Sequence, residues 1–297
     1  MTMISVVIPA YNCARSLSRA LESALLQLEP GDEVIVIDDG SSDDTAQVAA
    51  RFAGKIKYIY QPNAGPAAAR NSGVGEARGE WIAFLDADDY WLPGKLGLQK
   101  KLILKYPEAA LFCGGRVEKE GEAASSVQAE SAATDILPLE RFIKHNSVNT
   151  STVVMRKDVF MRLGGFDTSF SGPEDFDLWM RVAKERAVIY IDTPLSFYRS
   201  APGSLSMDDR SFLPQALRLL DKAFGRAGAL SAYAGRKPEA TANQYVHASW
   251  MAFQRGSKND ALRHLFAAFK FGWRYGYIDM KCLRFLARFT FGPNPGK

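Results

Sequence analysis

The chain has 297 residues, 47% hydrophobic and 24% charged, with a formal net charge of +4. That length allows one large α/β domain with a smaller appendage, and so small a charge gives no reason to expect a nucleic-acid partner. Three widely spaced cysteines, Cys13, Cys113 and Cys282, form no Cys-x-x-Cys pair; this argues against a disulfide framework or zinc knuckle and fits a reducing, cytoplasmic compartment.

The first predicted strand, Ile4 to Pro9, is a short β-branched run that starts almost at Met1, so a cleaved export signal is not expected. A helix follows over 14–28, with Leu17, Leu21, Leu25 and Leu28 on one face. Glu33 to Ile37 reads as a second buried strand, and Thr45 to Phe52 as a helix with Ser41 or Asp43 available as cap. Ile56 to Tyr60 is a third strand. Gly65-Pro66 opens a helix to about Arg78, with the proline in its tolerated first turn. Trp81 to Leu85 is a fourth strand and runs directly into Asp86-Ala87-Asp88-Asp89. Lys95 to Tyr106 is helical and Ala109 to Gly115 strand-like. The stretch from Glu118 to Thr134, rich in Glu, Ala and Ser, reads as a mobile surface loop. Beyond it come a strand over Thr152 to Met155, a helix over Lys157 to Leu163 ended by Gly164, and a helix over Glu174 to Glu185. Two short strands follow, Ala187 to Ile191 and Leu195 to Arg199, and the chain is helical from about Phe212. No run of about 18 apolar residues occurs, so no membrane-spanning helix is expected.

Alternating strands and helices imply an α/β fold with a mostly parallel sheet covered on both faces. Ligands in such sheets bind at the carboxyl ends of strands. Asp38-Asp39 and Asp86 to Asp89 both lie at predicted strand ends, so carboxylates from two strands converge on one edge.

Six strings carry a family resemblance. They are Val7-Ile8-Pro9-Ala10-Tyr11-Asn12, Asp38-Asp39-Gly40-Ser41-Ser42-Asp43, the run from Gly65 to Gly73, the run from Gly79 to Asp89, Gly164-Gly165-Phe166-Asp167, and Glu174-Asp175-Phe176-Asp177-Leu178-Trp179. In this order they resemble the family 2 glycosyltransferases, over roughly residues 3–200. The resemblance implies a GT-A fold, a Rossmann-like, mixed and mostly parallel sheet flanked by helices. It places a nucleotide-sugar-binding half over residues 1–110, an acceptor-binding half of the same domain over 111–205 and a helical C-terminal extension over 206–297.

The activity implied is inverting transfer of a sugar from a nucleotide-sugar, UDP-linked by the family pattern, to a hydroxyl of a glycan or lipid-linked acceptor. Surface polysaccharide synthesis is the setting it points to. Asp88 is the implied ligand of Mg²⁺ or Mn²⁺, with Asp86, one residue away past Ala87, a second candidate ligand nearer the ribose or the outer coordination shell. A cation there neutralises the diphosphate leaving group. Asp39 is implied to accept from a pyrimidine N3–H, while Asp38 and Asp39 also suit the turn before Gly40. Pro9 and Tyr11 lie where the family binds the base; Tyr11 either stacks on uracil or packs as a core aromatic. Arg70 could reach the base or the phosphates. Asp175 holds the position of the base that deprotonates the acceptor, with Glu174 beside it; acidic residues there also favour a helix N-terminus. Trp179 reads as core. His145, His247 and His264 are unclustered, and His145 precedes a stretch, Asn146 to Thr152, that is a candidate to face the acceptor.

Other classes fit less well. The first strand is followed by Ala10-Tyr11-Asn12 and not by the glycines of a dinucleotide-binding fingerprint. The spanning helices and Gln-x-x-Arg-Trp string of processive synthases are missing. A nucleotidyltransferase and a non-catalytic assembly subunit with the same fold stay open as alternatives. From Gln254 to Lys297 nine basic residues face only Asp260 and Asp279, interleaved with aromatics. Such a pattern suits peripheral contact with the cytoplasmic face of a membrane, or a helical cap packed on the main domain or on a second copy in a homodimer.

Overall fold

In the computed structural model of the protein, residues 2–119, 132–199 and 208–275 are described. Most of the expected loop after Glu118, the tail beyond Tyr275 and Cys282 lie outside them. The described residues form two compact units: 2–119, 132–138, 148–169 and 174–199 in the first, and 139–147, 170–173 and 208–275 in the second.

The first unit is built on one mixed sheet. Strands β1 (Ile4–Ala10), β2 (Glu33–Asp39), β3 (Lys57–Gln61) and β4 (Trp81–Phe84) are mutually parallel in the order β3-β2-β1-β4. The short β8 (Val154–Arg156) runs antiparallel between β4 and β6 (Ala109–Val117), and β9 (Ala187–Phe197) pairs parallel with β6. β5 (Tyr90–Trp91) and β7 (Thr134–Ile136) pair antiparallel with β9. The expected α/β sheet is therefore present.

β1 is buried because both its faces are covered, which a period-2 side-chain alternation allows. Ile4, Val6, Ile8 and Ala10 belong to a core with Leu17, Ala20, Leu21 and Ala24 of α1 (Leu17–Leu25). On the other face Val7 and Ile37 meet α3 (Pro66–Glu76) at Gly73, where a Cβ would collide with Val7 Cγ1 and lie 3.3 Å from Ile37 Cγ1. The remaining helices of this unit are α2 (Thr45–Ala50), α4 (Lys95–Lys105), α5 (Lys157–Arg162) and α6 (Glu174–Glu185).

Three readings shift. The two strands expected at 187–191 and 195–199 are one strand, with Pro194 opposite Gly115 at a register irregularity, the kind of place where a strand tolerates proline. Residues Thr150–Thr152, of which the last was read as strand, form a 3-10 turn. α1 starts at Leu17, after Cys13 carbonyl oxygen has taken the amides of Ser16 and Leu17 in a tight turn.

The second unit is helical: α7 (Asp209–Phe224), α8 (Lys237–Gln254) and α9 (Lys258–Tyr275). α7 buries Leu213, Ala216, Leu219, Leu220 and Ala223. At its start Asp209, fully buried, accepts from Arg255 Nε at 3.0 Å and pairs with His264 Nε2 at 3.0 Å. Among the described residues no helix is long and apolar enough to cross a membrane.

Candidate active site at the carboxyl edge of the sheet

The carboxyl ends of β1, β2 and β4 carry the expected donor-side residues. Pro9 is half-buried in β1 opposite Ile37, and Tyr11, just past the strand, is 55% exposed. The loop after Tyr11 is sewn to the loop after β2. Asn12, the one non-glycine residue with positive φ among the described residues, accepts from the Ser42 amide at 2.8 Å. Its own amide donates to Ser41 Oγ, and the Cys13 amide donates to Thr45 Oγ1. Gly40, at φ +80°, has Asn63 N only 2.8 Å from where a Cβ would stand, so the turn admits only glycine.

The two aspartates of β2 are both buried and do different work. Asp38 accepts from the Ser41 amide at 2.8 Å and from the Tyr58 hydroxyl at 2.5 Å; burial, then this contact, push the phenol pKa up. Asp39 accepts from Gln61 Nε2 at 2.7 Å and from the amides of Ala64 and Gly65 at 2.9 and 2.8 Å. These contacts fix the turn into α3. They use three of the roughly four lone-pair positions of a carboxylate.

Arg70, on α3, is the centre of charge. Its guanidinium is buried, with Nη2 2.7 Å from Asp86 Oδ1 and Nη1 3.1 Å from Glu174 Oε1, and it lies 5.5 Å from the Phe166 ring centroid. Its Nε has no partner among the described residues. Asp86 and Glu174 together hold Arg70 charged despite its burial. Asn71, next in the chain, clamps the Gly164-Gly165-Phe166 turn by donating to Phe166 O and accepting from Phe166 N at 2.8 and 2.9 Å.

The run after β4 points in alternate directions. Ala87 and Asp89 are buried, Asp88 is exposed, and Asp86 is in between. Asp89 accepts from Ser151 Oγ at 2.6 Å and from the Arg199 amide at 3.0 Å; burial and the Asp86 charge push its carboxyl up. Ser151 Oγ accepts in turn from the Asp86 amide at 3.2 Å. Desolvation, then the neighbouring Asp86 charge, also raise Asp88. Crowded hard oxygen donors of this kind fit a divalent cation, whose charge removes that repulsion. Among the described residues no group of three or more His, Cys, Asp or Glu is assembled to cage a metal. That set fits a cation taking one or two protein carboxylates and completing its shell with water and phosphate, the usual habit of Mg²⁺.

Asp175 stands at the start of α6, half-buried. Its Oδ1 accepts from the Phe176 amide at 2.6 Å and its Oδ2 from Thr150 Oγ1 at 3.2 Å. Burial, then the adjacent Glu174 charge, push its carboxyl up to about 7 against the opposing pull of Arg70. A carboxylate with that pKa is suited to accept a proton near neutrality. Trp179 is fully buried against Phe84 and Phe166, as core. The three histidines belong to the helical unit.

The structure thus brings Arg70, Asp86 and Glu174 into one hydrogen-bonded group, with Asp175 next to Glu174 in the chain, and sets Asp38 and Asp39 into loop-closing roles. Sequence reading missed Thr150 and Ser151 as partners of Asp175 and Asp89. The only local signal was the hydroxyl run Thr150-Ser151-Thr152 within the stretch already singled out.

Comparison with known proteins places this geometry. The family model described as Glycosyl transferase family 2 matches residues 5–164. The Escherichia coli UDP-Glc:alpha-D-GlcNAc-diphosphoundecaprenol beta-1,3-glucosyltransferase WfaP is 30% identical over 218 residues, 69% of this chain and 80% of that protein. An uncharacterized glycosyltransferase of Rickettsia prowazekii is 28% identical over 193 residues, 63% of this chain. The match spans 61% of that relative's own length, less than two thirds. Among solved structures, S. aureus TarS 1-349 in complex with UDP-GlcNAc superposes with a TM-score of 0.65 at 17% identity, covering 93% of this chain and 92% of that one. The mannosyltransferase PcManGT from Pyrobaculum calidifontis, in complex with GDP-Man and Mn²⁺, gives 0.61 at 17% identity over 96% and 78%. At such identities the structural likeness shows the GT-A fold alone. With the family model matched over more than half of its residues, and the aspartate edge in place to which that match extends, the chain belongs to glycosyl transferase family 2.

Proposed function

We propose that the chain transfers a sugar, with inversion, from a UDP-linked donor to a hydroxyl of a glycan or lipid-linked acceptor, with Asp175 as the base. The observation that carries this reading is the Asp86–Arg70–Glu174 bridge. One buried guanidinium ties the carboxylate run after β4 to the residue preceding Asp175. Donor-side and acceptor-side chemistry are thereby built into one rigid group.

In the step, the acceptor O–H proton passes to a carboxylate oxygen of Asp175. The acceptor oxygen bonds to the anomeric carbon as the bond from that carbon to the diphosphate breaks, and the electron pair leaves with the diphosphate. Thr150 and the Phe176 amide hold Asp175 in place. Asp88, with Asp86 beside it, would hold Mg²⁺ or Mn²⁺, which supplies Lewis-acid neutralisation of the leaving group when bound. Pro9, Tyr11 and Asp39 border the nucleotide base. The UDP preference is supported by the donor that WfaP is named for and by the UDP-GlcNAc bound to TarS; the metal is supported by the Mn²⁺ bound to PcManGT.

The test is calorimetric titration of UDP into the parent and into Asp175→Asn, each with Mn²⁺ and with EDTA, beside a transfer assay. The expected result is metal-dependent UDP binding in both proteins, with transfer lost only in the variant, by about 10²–10⁴-fold. Equal loss of UDP binding in Asp175→Asn would remove Asp175 from the role of base. No UDP binding by the parent in either condition would overturn the UDP reading.

A further inference from the structure

Helix α9 shows two chemically different sides. Ala261, His264, Leu265 and Ala268 are buried within the helical unit. On the opposite side Leu262 is 37% and Phe266 72% exposed, and Phe269 is half-buried. At 100° per residue these three fall within an arc of about 60°. Exposed Lys258 lies on one flank of that arc, and exposed Lys270 and Arg263 on the other. The stripe itself contains no acidic side chain. Asp260, in the first turn, is spent on Arg255, Arg263 and Ser257.

We propose that the Leu262–Phe266–Phe269 face of α9 docks on the surface of an anionic lipid bilayer. An apolar stripe bordered by cations on both flanks matches the boundary between acyl chains and anionic headgroups, where rings bury and ammonium and guanidinium groups stay at phosphate level. A protein partner would have to offer acids on both sides of an apolar groove, whereas a bilayer supplies them at every orientation. The sequence beyond the described residues keeps the same bias, with Lys281, Arg284 and Arg288 against Asp279 alone. The inference does not depend on the sugar-transfer reading.

The experiment is co-sedimentation of the full chain with vesicles of phosphatidylglycerol and phosphatidylethanolamine, and with vesicles of phosphatidylcholine alone. Parent protein is compared with Leu262→Ser/Phe266→Ser and with Lys270→Gln. The expected result is binding to the anionic vesicles only, weakening with salt. It falls by about tenfold or more in the double variant and by about fivefold in Lys270→Gln. Circular dichroism and UDP titration are expected to be unchanged, because all three side chains are at the surface. Failure of the parent to sediment with anionic vesicles at low salt overturns the proposal, as does binding that the double variant leaves intact. A concentration-dependent dimer that the double variant abolishes would assign the face to a second copy of the chain, and equally overturn it.

Discussion

Replacing Arg70 by methionine isolates the energetics of the site. Glu174 is 5% exposed, so losing the guanidinium at 3.1 Å removes that counter-charge from a carboxylate in the interior, a defect of about 3–5 kcal/mol. Asp86, with 29% of its side chain exposed, regains water and adds less than about 1 kcal/mol. The expected deficit is therefore about 3–5 kcal/mol at pH 7, or roughly 6–20 °C in Tm. Thermal and urea melts of the parent, Arg70→Met and Arg70→Met/Glu174→Gln read this directly, and the double variant, which removes the buried negative charge, is expected to recover most of the loss. A single variant that melts within 2 °C of the parent at about pH 7, or a double variant that recovers none of the loss, would refute the argument.

With Asp175 as the proposed base, transfer is expected to decline as pH drops through about 7, because its carboxyl must be deprotonated to take the acceptor proton. Thr150→Val removes a hydroxyl that favours the charged carboxylate, so the acid limb of kcat/KM against pH should move up by roughly half to one unit. An unmoved limb would mean that another group sets the profile. Gly73→Ala should destabilise by about 2 kcal/mol net, since the added methyl meets Val7 in a strand that cannot retreat. Gly75→Ala, with open space around it in the same helix, should instead stabilise by about 0.5–1 kcal/mol in the same denaturation assay.

The half of the fold most legible in the sequence is the parallel half. Ile4 to Pro9, Glu33 to Ile37 and Trp81 to Leu85 are apolar runs too short for helices, and each ends in residues that place it at a strand terminus. β5 and β7 were not legible, because two or three residues become strand only through pairing with β9. The gap read between Ile191 and Leu195 contains Pro194, a residue that disfavours strand locally, and the irregular pairing with β6 is where it is tolerated. In the site, the aspartates announced themselves by position. The ion pair of Arg70 with Glu174 joins residues 104 apart in the chain, and no local pattern encodes that contact. Asp38 and Asp39, read as one pair, separated only when their donors could be named.

The turn Thr150–Thr152 has a consequence for anyone who would re-engineer this protein. Its three hydroxyls face different clients: Thr150 holds Asp175, Ser151 spans Asp86 and Asp89, and Thr152 receives the Gly114 amide from β6. Its carbonyls are pinned as well, Ser151 O by the Trp91 indole and Thr152 O by Gln99. The turn acts as a surveyor's benchmark from which both ends of the candidate site are measured. Loop exchanges meant to alter acceptor choice should splice upstream of Asn149, because a graft that carries this turn away would reset the distance between the two ends and not merely the shape of the pocket.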